Sequence, residues 1–72
     1  MVTLTFKLTE VGRVSINLPT PLPLSEVVER IAATSGYRPG GYIAVRGGRV
    51  ISAETMIADG DHIDIFPALS GG

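Results

Sequence analysis

Apolar and polar residues alternate over the first part of the chain, with one interruption. Residues 2–9 place Val, Leu, Phe and Leu at every second position, between threonines and a lysine. A period of two that is rich in β-branched and aromatic side chains is typical of a strand with one buried face. Residues 10–13 break the pattern and residues 14–18 resume it. The sequence therefore predicts a hairpin of two strands.

The period changes to that of a helix after three prolines. Pro19, Pro21 and Pro23 cannot donate the backbone hydrogen bonds of a sheet, so we expect them to end the sheet and form a stiff connection. The apolar residues that follow recur at helical spacing and form one stripe of Leu24, Val27, Val28, Ile31 and Ala32. Ser25 is the predicted N-cap. Gly36 is the predicted end of the helix, since glycine readily adopts the left-handed conformation.

A second hairpin is predicted in the middle of the chain. We expect Ile43 and Val45 to face the core in a third strand. The two glycines at positions 47–48 predict a tight turn, after which residues 50–51 begin a short fourth strand.

The last strand follows a stretch without a clear period. Met56 and Ile57 are expected to cover the open end of the core, and residues 59–61 are expected to form a turn. Ile63 and Ile65 then alternate with polar residues, which predicts a final strand with these two side chains inward.

The order of these elements is strand, strand, helix, strand, strand, strand. A helix with one apolar stripe can bury it only against the apolar face of the sheet, which gives two layers around one core. If the first and last strands lie side by side in parallel, the helix is the crossover between two hairpins. The sequence therefore predicts an α+β, β-grasp (ubiquitin-like) fold with a mixed sheet of four to five strands on one main helix. We expect this domain to span residues 1–67 and a flexible Gly-Gly tail to span residues 68–72.

Composition and charge limit the possible functions. The 72 residues suit a single domain, with a mainly aliphatic core because the chain has two Phe, two Tyr and no Trp. The lack of cysteine excludes disulfides, thiolate catalysis and cysteine-based metal sites. The formal charge is −1 and the six basic residues are scattered, so we expect no direct nucleic-acid partner. The sequence contains neither a signal-peptide pattern nor an apolar run of membrane length, so we expect no membrane association and a cytoplasmic location.

His62 is the sole histidine, and it lies close in sequence to Asp61 and Asp64. Neighbouring residues of a strand point to opposite faces, so only Asp64 would share the side of His62. We therefore interpret these residues as a solvated strand face rather than as a metal site or a general base, and we predict no metal site.

The end of the chain carries the most specific motif. The segment from Asp59 to Pro67 combines a Gly-Asp turn with a Phe-Pro pair, and the sequence Ala-Leu-Ser-Gly-Gly follows at residues 68–72. This combination resembles the C-terminal signature of the ThiS/MoaD sulfur-carrier family. The resemblance extends more weakly over the whole chain, through the opening strand, the helix and the strand at residues 43–45.

This resemblance implies a protein cosubstrate rather than an enzyme. In the family, an E1-like adenylating enzyme uses ATP and magnesium to activate the terminal carboxylate, and a persulfide sulfur donor then converts the adenylate into a thiocarboxylate. The sulfur passes to a sulfur-accepting synthase in molybdopterin or thiamine biosynthesis, or serves tRNA thiolation. The carrier binds no cofactor of its own and can act as the small subunit of a synthase complex. It presents a reactive end, as a group-carrying cofactor does.

The same resemblance assigns roles to the tail. Gly72 is the predicted site of adenylation and thiocarboxylate formation, and Gly71 is the residue that must be small beside it. Ala68, Leu69 and Ser70 are predicted to form the extended arm that enters the active site of the partner.

Phe66 and Pro67 are predicted to aim this arm. Phe66 should project from the sheet on the side opposite Ile63 and Ile65, where an aromatic side chain can anchor an interface; the alternative is an ordinary core residue. Pro67 is expected to stiffen the exit of the arm and to stop the edge pairing from continuing.

The sequence leaves alternatives open for both the pathway that receives the sulfur and the class of function. Ser70 replaces the alanine that is common before the two glycines of thiamine and molybdopterin carriers. The Ser-Gly-Gly end is closer to carriers that serve tRNA thiolation, some of which also modify proteins. The alternative functions are a ubiquitin-like modifier that is conjugated to lysines through Gly72 and a non-catalytic small binding subunit.

Overall fold

The chain forms a five-stranded sheet with a helix packed on one face. The computed structural model describes residues 1–36 and 40–68. Its elements in chain order are the strands β1 (Val2–Phe6), β2 (Gly12–Ile16) and β3 (Leu22–Pro23), the helix α1 (Leu24–Ser35), and the strands β4 (Tyr42–Arg46), β5 (Arg49–Ile51), β6 (Met56–Ile57) and β7 (His62–Pro67).

The main sheet has the strand order β2-β1-β7-β4-β5. β1 and β7 pair in parallel, and the other neighbours in this sheet pair antiparallel. Because parallel neighbours cannot be joined by a tight turn, the chain must cross over between them, and α1 lies in that crossover. This topology confirms the predicted β-grasp fold.

The core lies between α1 and the facing side of the sheet. Its most deeply buried large side chains come from β1, α1, β6 and β7, and none is more than 2% exposed. They are Val2, Leu4, Leu24, Val27, Ile31, Ile57, Ile63 and Ile65. Burial of one such side chain contributes about 1.5–3 kcal/mol to the free energy of unfolding. The predicted apolar stripe of α1 is buried in full.

The start of α1 differs from the prediction. The helix begins at Leu24, so the N-cap is Pro23 and the assignment of Ser25 was wrong. The backbone N–H groups of Leu24 and Ser25 donate to the carbonyl oxygens of Thr55 and Ala53 at 2.9 and 3.0 Å. These carbonyls accept hydrogen bonds from backbone N–H groups that would otherwise need a capping side chain or water as the acceptor. Within the described part of the chain, no helix is long and apolar enough to span a membrane.

Two predicted turns are confirmed. Gly36 ends α1 with a φ of 78°, and its N–H donates to the carbonyl oxygen of Ala32 at 2.9 Å. Gly47 and Gly48 have φ values of 60° and 80° and close the hairpin between β4 and β5. Positive φ at both central residues is the geometry that a two-residue hairpin favours.

The prediction for the faces of β4 was wrong. Ala44 is 2% exposed and packs in the core, whereas Ile43 is 48% exposed and Val45 is half-buried. Ala44 lies opposite Ile65 in the sheet register, which places it on the helix side. Residues 42–45 are all apolar, so alternation alone could not identify the inner face of this strand.

The segment after β5 covers the core with one residue rather than two. Ile57 is fully buried, as predicted, but Met56 is 53% exposed, because successive residues of a strand point to opposite sides. Met56 lies opposite Pro23, and Ile57 lies opposite Leu22, in the β3–β6 pair. The prolines therefore do not form a connection alone, since Pro23 belongs to a short strand.

Matched substitutions on the two faces of β4 test this register. Ala44→Leu should lower the free energy of unfolding by about 1–3 kcal/mol, because the added atoms overpack the core. Ile43→Ala should lower it by about 1 kcal/mol or less, because half of that side chain is already in water. Urea titration of both variants gives the two values. A larger loss for Ile43→Ala than for Ala44→Leu would contradict the assignment of the faces.

Candidate functional site

β7 brings the last described residues to one end of the sheet. It lies between β1 and β4, so it forms backbone hydrogen bonds along both edges. Ile63 and Ile65 are 1% and 2% exposed and attach the strand to the core. A shift of one residue would turn both isoleucines to the outer face, so the register is strongly determined. The positions of Phe66 and Pro67 follow from that register.

Pro67 is the last residue of β7. It lacks the N–H that would continue the pairing with β1, but it does not end the pairing on the β4 side. The N–H of Lys7 donates to the carbonyl oxygen of Ile65 at 2.7 Å, so Ile65 directs its backbone toward β1. Pro67, two residues further on, has the same orientation but no N–H to donate. On the other side, the N–H of Ala68 donates to the carbonyl oxygen of Gly41 at 3.1 Å. Backbone hydrogen bonding on the β4 side therefore extends to Ala68, one residue beyond the end of β7.

The remaining tail residues of the prediction, Leu69, Ser70, Gly71 and Gly72, lie outside the described residues. The division between a domain at residues 1–67 and a tail at residues 68–72 stays a prediction. The structure places the beginning of this segment at the end of a strand in the middle of the sheet.

Phe66 lies on the face of the sheet opposite α1. It follows the buried Ile65, and its partner across the strands is the exposed Ile43. Phe66 is half-buried and does not belong to the buried core cluster. Its position agrees with the predicted projection from the sheet rather than with the core alternative.

Phe66 belongs to a group of apolar side chains on this face, which we call the outer patch and define as Ile43, Val45, Val50 and Phe66. Ile43 lies opposite Phe66 and Val45 lies opposite Val50, and such pairs approach to contact distance. Val50 is 73% exposed. An exposed apolar group with polar neighbours is a common mark of a protein-binding surface.

Sequence reasoning identified Phe66 but missed its three companions. The alternation of the sequence predicts Ile43 and Val45 in the core and Val50 at the start of a short strand, with no binding role for any of them. The signal in the sequence was the unbroken apolar run at residues 42–45. When one face of such a strand packs in the core, the apolar residues of the other face stay available for a binding partner.

Polar side chains border the outer patch. Asp64 lies opposite Val45 on β4 and opposite Thr5 on β1. His62 is exposed on the same strand, whereas the carboxylate of Asp61 accepts hydrogen bonds from the Arg46 guanidinium at 3.1 Å and the Ala58 N–H at 3.0 Å. Among the residues that the structure describes, no three His, Cys, Asp or Glu side chains are grouped closely enough to hold a metal ion. The arrangement is suited to protein contact.

Tyr42 lies opposite Pro67, under the point where the tail leaves. Burial raises the pKa of Tyr42 above its usual value of 10.0, and the carboxylate of Glu29 raises it further. The phenol is therefore neutral throughout the neutral pH range and adds no charge beneath the exit of the tail.

The fold and the outer patch define a β-grasp protein of the ubiquitin-like class, in which the central strand β7 brings its last residues to one end of the sheet. A family model described as the ThiS family matches residues 4–72, which include the tail. The chain therefore belongs to the ThiS family. Members of this family are small sulfur carriers rather than catalysts, and they interact in general with E1-like and synthase partners. A search of curated proteins found no match.

Phe66→Ala tests the outer patch as a binding surface. Removal of an aromatic anchor should weaken binding of an E1-like enzyme about 30-fold or more, while the melting temperature should fall little, because Phe66 lies outside the core cluster. Calorimetric titration and thermal melts measure the two effects.

Ile65→Ala is the matched control for that experiment, one residue earlier on the opposite face. It should lower the free energy of unfolding by about 2–5 kcal/mol. If Phe66→Ala destabilises the domain as strongly and leaves binding unchanged in the folded fraction, Phe66 is a core residue.

Proposed function

We propose that this chain is a sulfur carrier that is loaded at the carboxylate of Gly72. The observation that carries the proposal is the match to the ThiS family, which runs to residue 72 and so includes both terminal glycines. The position of β7 supports it, since the tail follows directly on a strand that is hydrogen-bonded on both edges.

The proposed loading begins with adenylation. A carboxylate oxygen of Gly72 attacks the α-phosphate of ATP, which is held with magnesium by the E1-like enzyme, and pyrophosphate leaves. The terminal sulfur of a protein persulfide then attacks the carbonyl carbon of the acyl adenylate and expels AMP. A second thiol attacks the donor's cysteine sulfur in the resulting acyl disulfide. This step forms a disulfide on the donor and releases the thiocarboxylate of Gly72.

The chain contributes recognition and position to this chemistry. Gly71 and Gly72 lack Cβ atoms, so the walls of a narrow cleft can approach their backbone closely. Binding of the domain converts an encounter between a carboxylate and ATP into a reaction between positioned groups. Phe66 and the rest of the outer patch offer the apolar area for that binding, next to the exit of the tail.

The receiver of the sulfur is a synthase of cofactor biosynthesis or a tRNA-thiolating enzyme. The second candidate function is a protein modifier joined to lysines through Gly72. It rests on the Ser-Gly-Gly end at residues 70–72, which resembles that of tRNA-thiolation carriers, some of which also modify proteins. Both functions need activation of the same carboxylate. A third candidate, a small binding subunit, needs no reaction at the tail.

Appending one alanine after Gly72 tests the site of activation. The reacting carboxylate would move one residue further along the chain, so ATP–pyrophosphate exchange by the E1-like enzyme should be lost while the melting temperature is unchanged. Ser70→Ala is the matched control and should retain exchange, because an alanine adds no bulk to the arm. Normal exchange by the extended chain would refute Gly72 as the site.

Mass spectrometry of the protein from its native cell separates the candidate functions. We expect a species in which one oxygen at Gly72 is replaced by sulfur. A ladder of larger conjugates linked through Gly72 would support the modifier instead. Full function after deletion of Gly71 and Gly72 would support the binding subunit and contradict both other candidates.

A further inference from the structure

Leu8 combines two features that are unfavourable in an isolated domain. Its φ is 60°, in the left-handed region, and every other described residue with positive φ is a glycine. Its side chain is 85% exposed, the highest exposure among the described large apolar residues.

Neither feature stabilises the fold. The left-handed conformation brings the Cβ atom of Leu8 too close to the following carbonyl oxygen, a clash that glycine avoids. An exposed leucine gains no free energy from burial. Gly12, at the other end of the connection between β1 and β2, also has a positive φ, of 69°. At that nearby position the left-handed conformation is therefore adopted by a glycine. A strained residue that the fold does not need points to a function, here a contact outside the domain.

Leu8 lies at the end of the sheet where the tail leaves. Phe6 is opposite Ile65 in the parallel β1–β7 pair, and the N–H of Lys7 donates to the carbonyl oxygen of Ile65 at 2.7 Å. Both strands run in the same direction from this point, β1 into Leu8 and β7 into Phe66 and Pro67. The β1–β2 connection and the start of the tail are therefore neighbours at one end of the molecule.

The short tail determines what can approach this end. Four residues lead from Ala68 to Gly72, and a fully extended chain of that length spans at most about 14 Å. An enzyme that reacts at Gly72 must therefore bring its active site to within roughly 14 Å of Ala68. The surface around the entrance of its cleft then lies over the end of the sheet that contains Leu8.

We propose that Leu8 is a second anchor for the E1-like adenylating enzyme, held in an apolar depression at the rim of the cleft that receives the tail. This inference rests on the proposed function. The turn presents the side chain in water before the partner arrives, so little ordering is needed on binding. Leu8 contacts the enzyme on the β1 side of the tail, and the outer patch contacts it on the β4 side.

Leu8→Gly and Leu8→Asn test the proposal, since both residues accept a left-handed backbone and neither has an apolar side chain. The probe is the recombinant E1-like enzyme of the same organism with ATP and magnesium. We expect KM for the carrier in ATP–pyrophosphate exchange to rise about 10-fold and Kd by titration calorimetry to rise in parallel, in the range of a moderate interface contact. The kcat should change little, and the melting temperature should be equal or higher.

Met56→Ser is the matched control. Met56 is also an exposed apolar residue, at 53%, but its carbonyl oxygen accepts from Arg46, which binds Asp61 just before the start of β7. It thus lies at the opposite end of the sheet, and its substitution should leave KM and Kd unchanged.

Three results would overturn the inference. Unchanged KM and Kd for both Leu8 variants would show that the enzyme does not contact Leu8. A clear fall in the melting temperature would show that Leu8 serves the fold. An equal rise in KM for Met56→Ser would show a general effect of lost apolar surface. ATP–pyrophosphate exchange with the wild-type chain separates this inference from the proposed function. If the wild-type chain supports exchange, these results count against Leu8 alone; if it does not, the proposed function itself fails.

Discussion

The parallel pairing of β1 with β7 is the interaction on which the rest of the structure depends. It joins the two ends of the sequence at the centre of the sheet and requires the crossover that contains α1. It also leaves β7 with a neighbour on each edge, so the strand is fixed by two hydrogen-bond ladders and by the burial of Ile63 and Ile65. Because β7 cannot easily change register, the positions of Phe66 and Pro67 at its end are fixed as well.

The second constraint is that, among residues 1–36 and 40–68, one short helix covers one face of the sheet. The helix side holds the core, and in the described residues the other side remains open. Apolar residues on that open side, such as Ile43 and Val50, are largely exposed and lie outside the core on the helix side. They are therefore available for the partners that the ThiS family has in general.

The predictable part of the fold came from segments whose two faces differ in polarity. β1, α1 and β7 each alternate or repeat clearly, so their inner residues could be read directly, and Phe66 could be placed on the outer face from its position after Ile65. β4 could not be oriented in this way because its apolar run has no polar face. The cap of α1 also escaped prediction, since the accepting carbonyls of Ala53 and Thr55 come from a segment distant in sequence.

The sequence by itself determined the order of the elements, the inner faces of the patterned strands and the resemblance of the tail to a sulfur-carrier signature. Only the tertiary structure decided which side of β4 is buried and which apolar residues accompany Phe66. It also placed Leu8 beside the exit of the tail, although the two are far apart in the chain. The physical reason is that polarity patterns report local burial, whereas register and neighbourhood in a sheet arise from hydrogen bonds between distant strands.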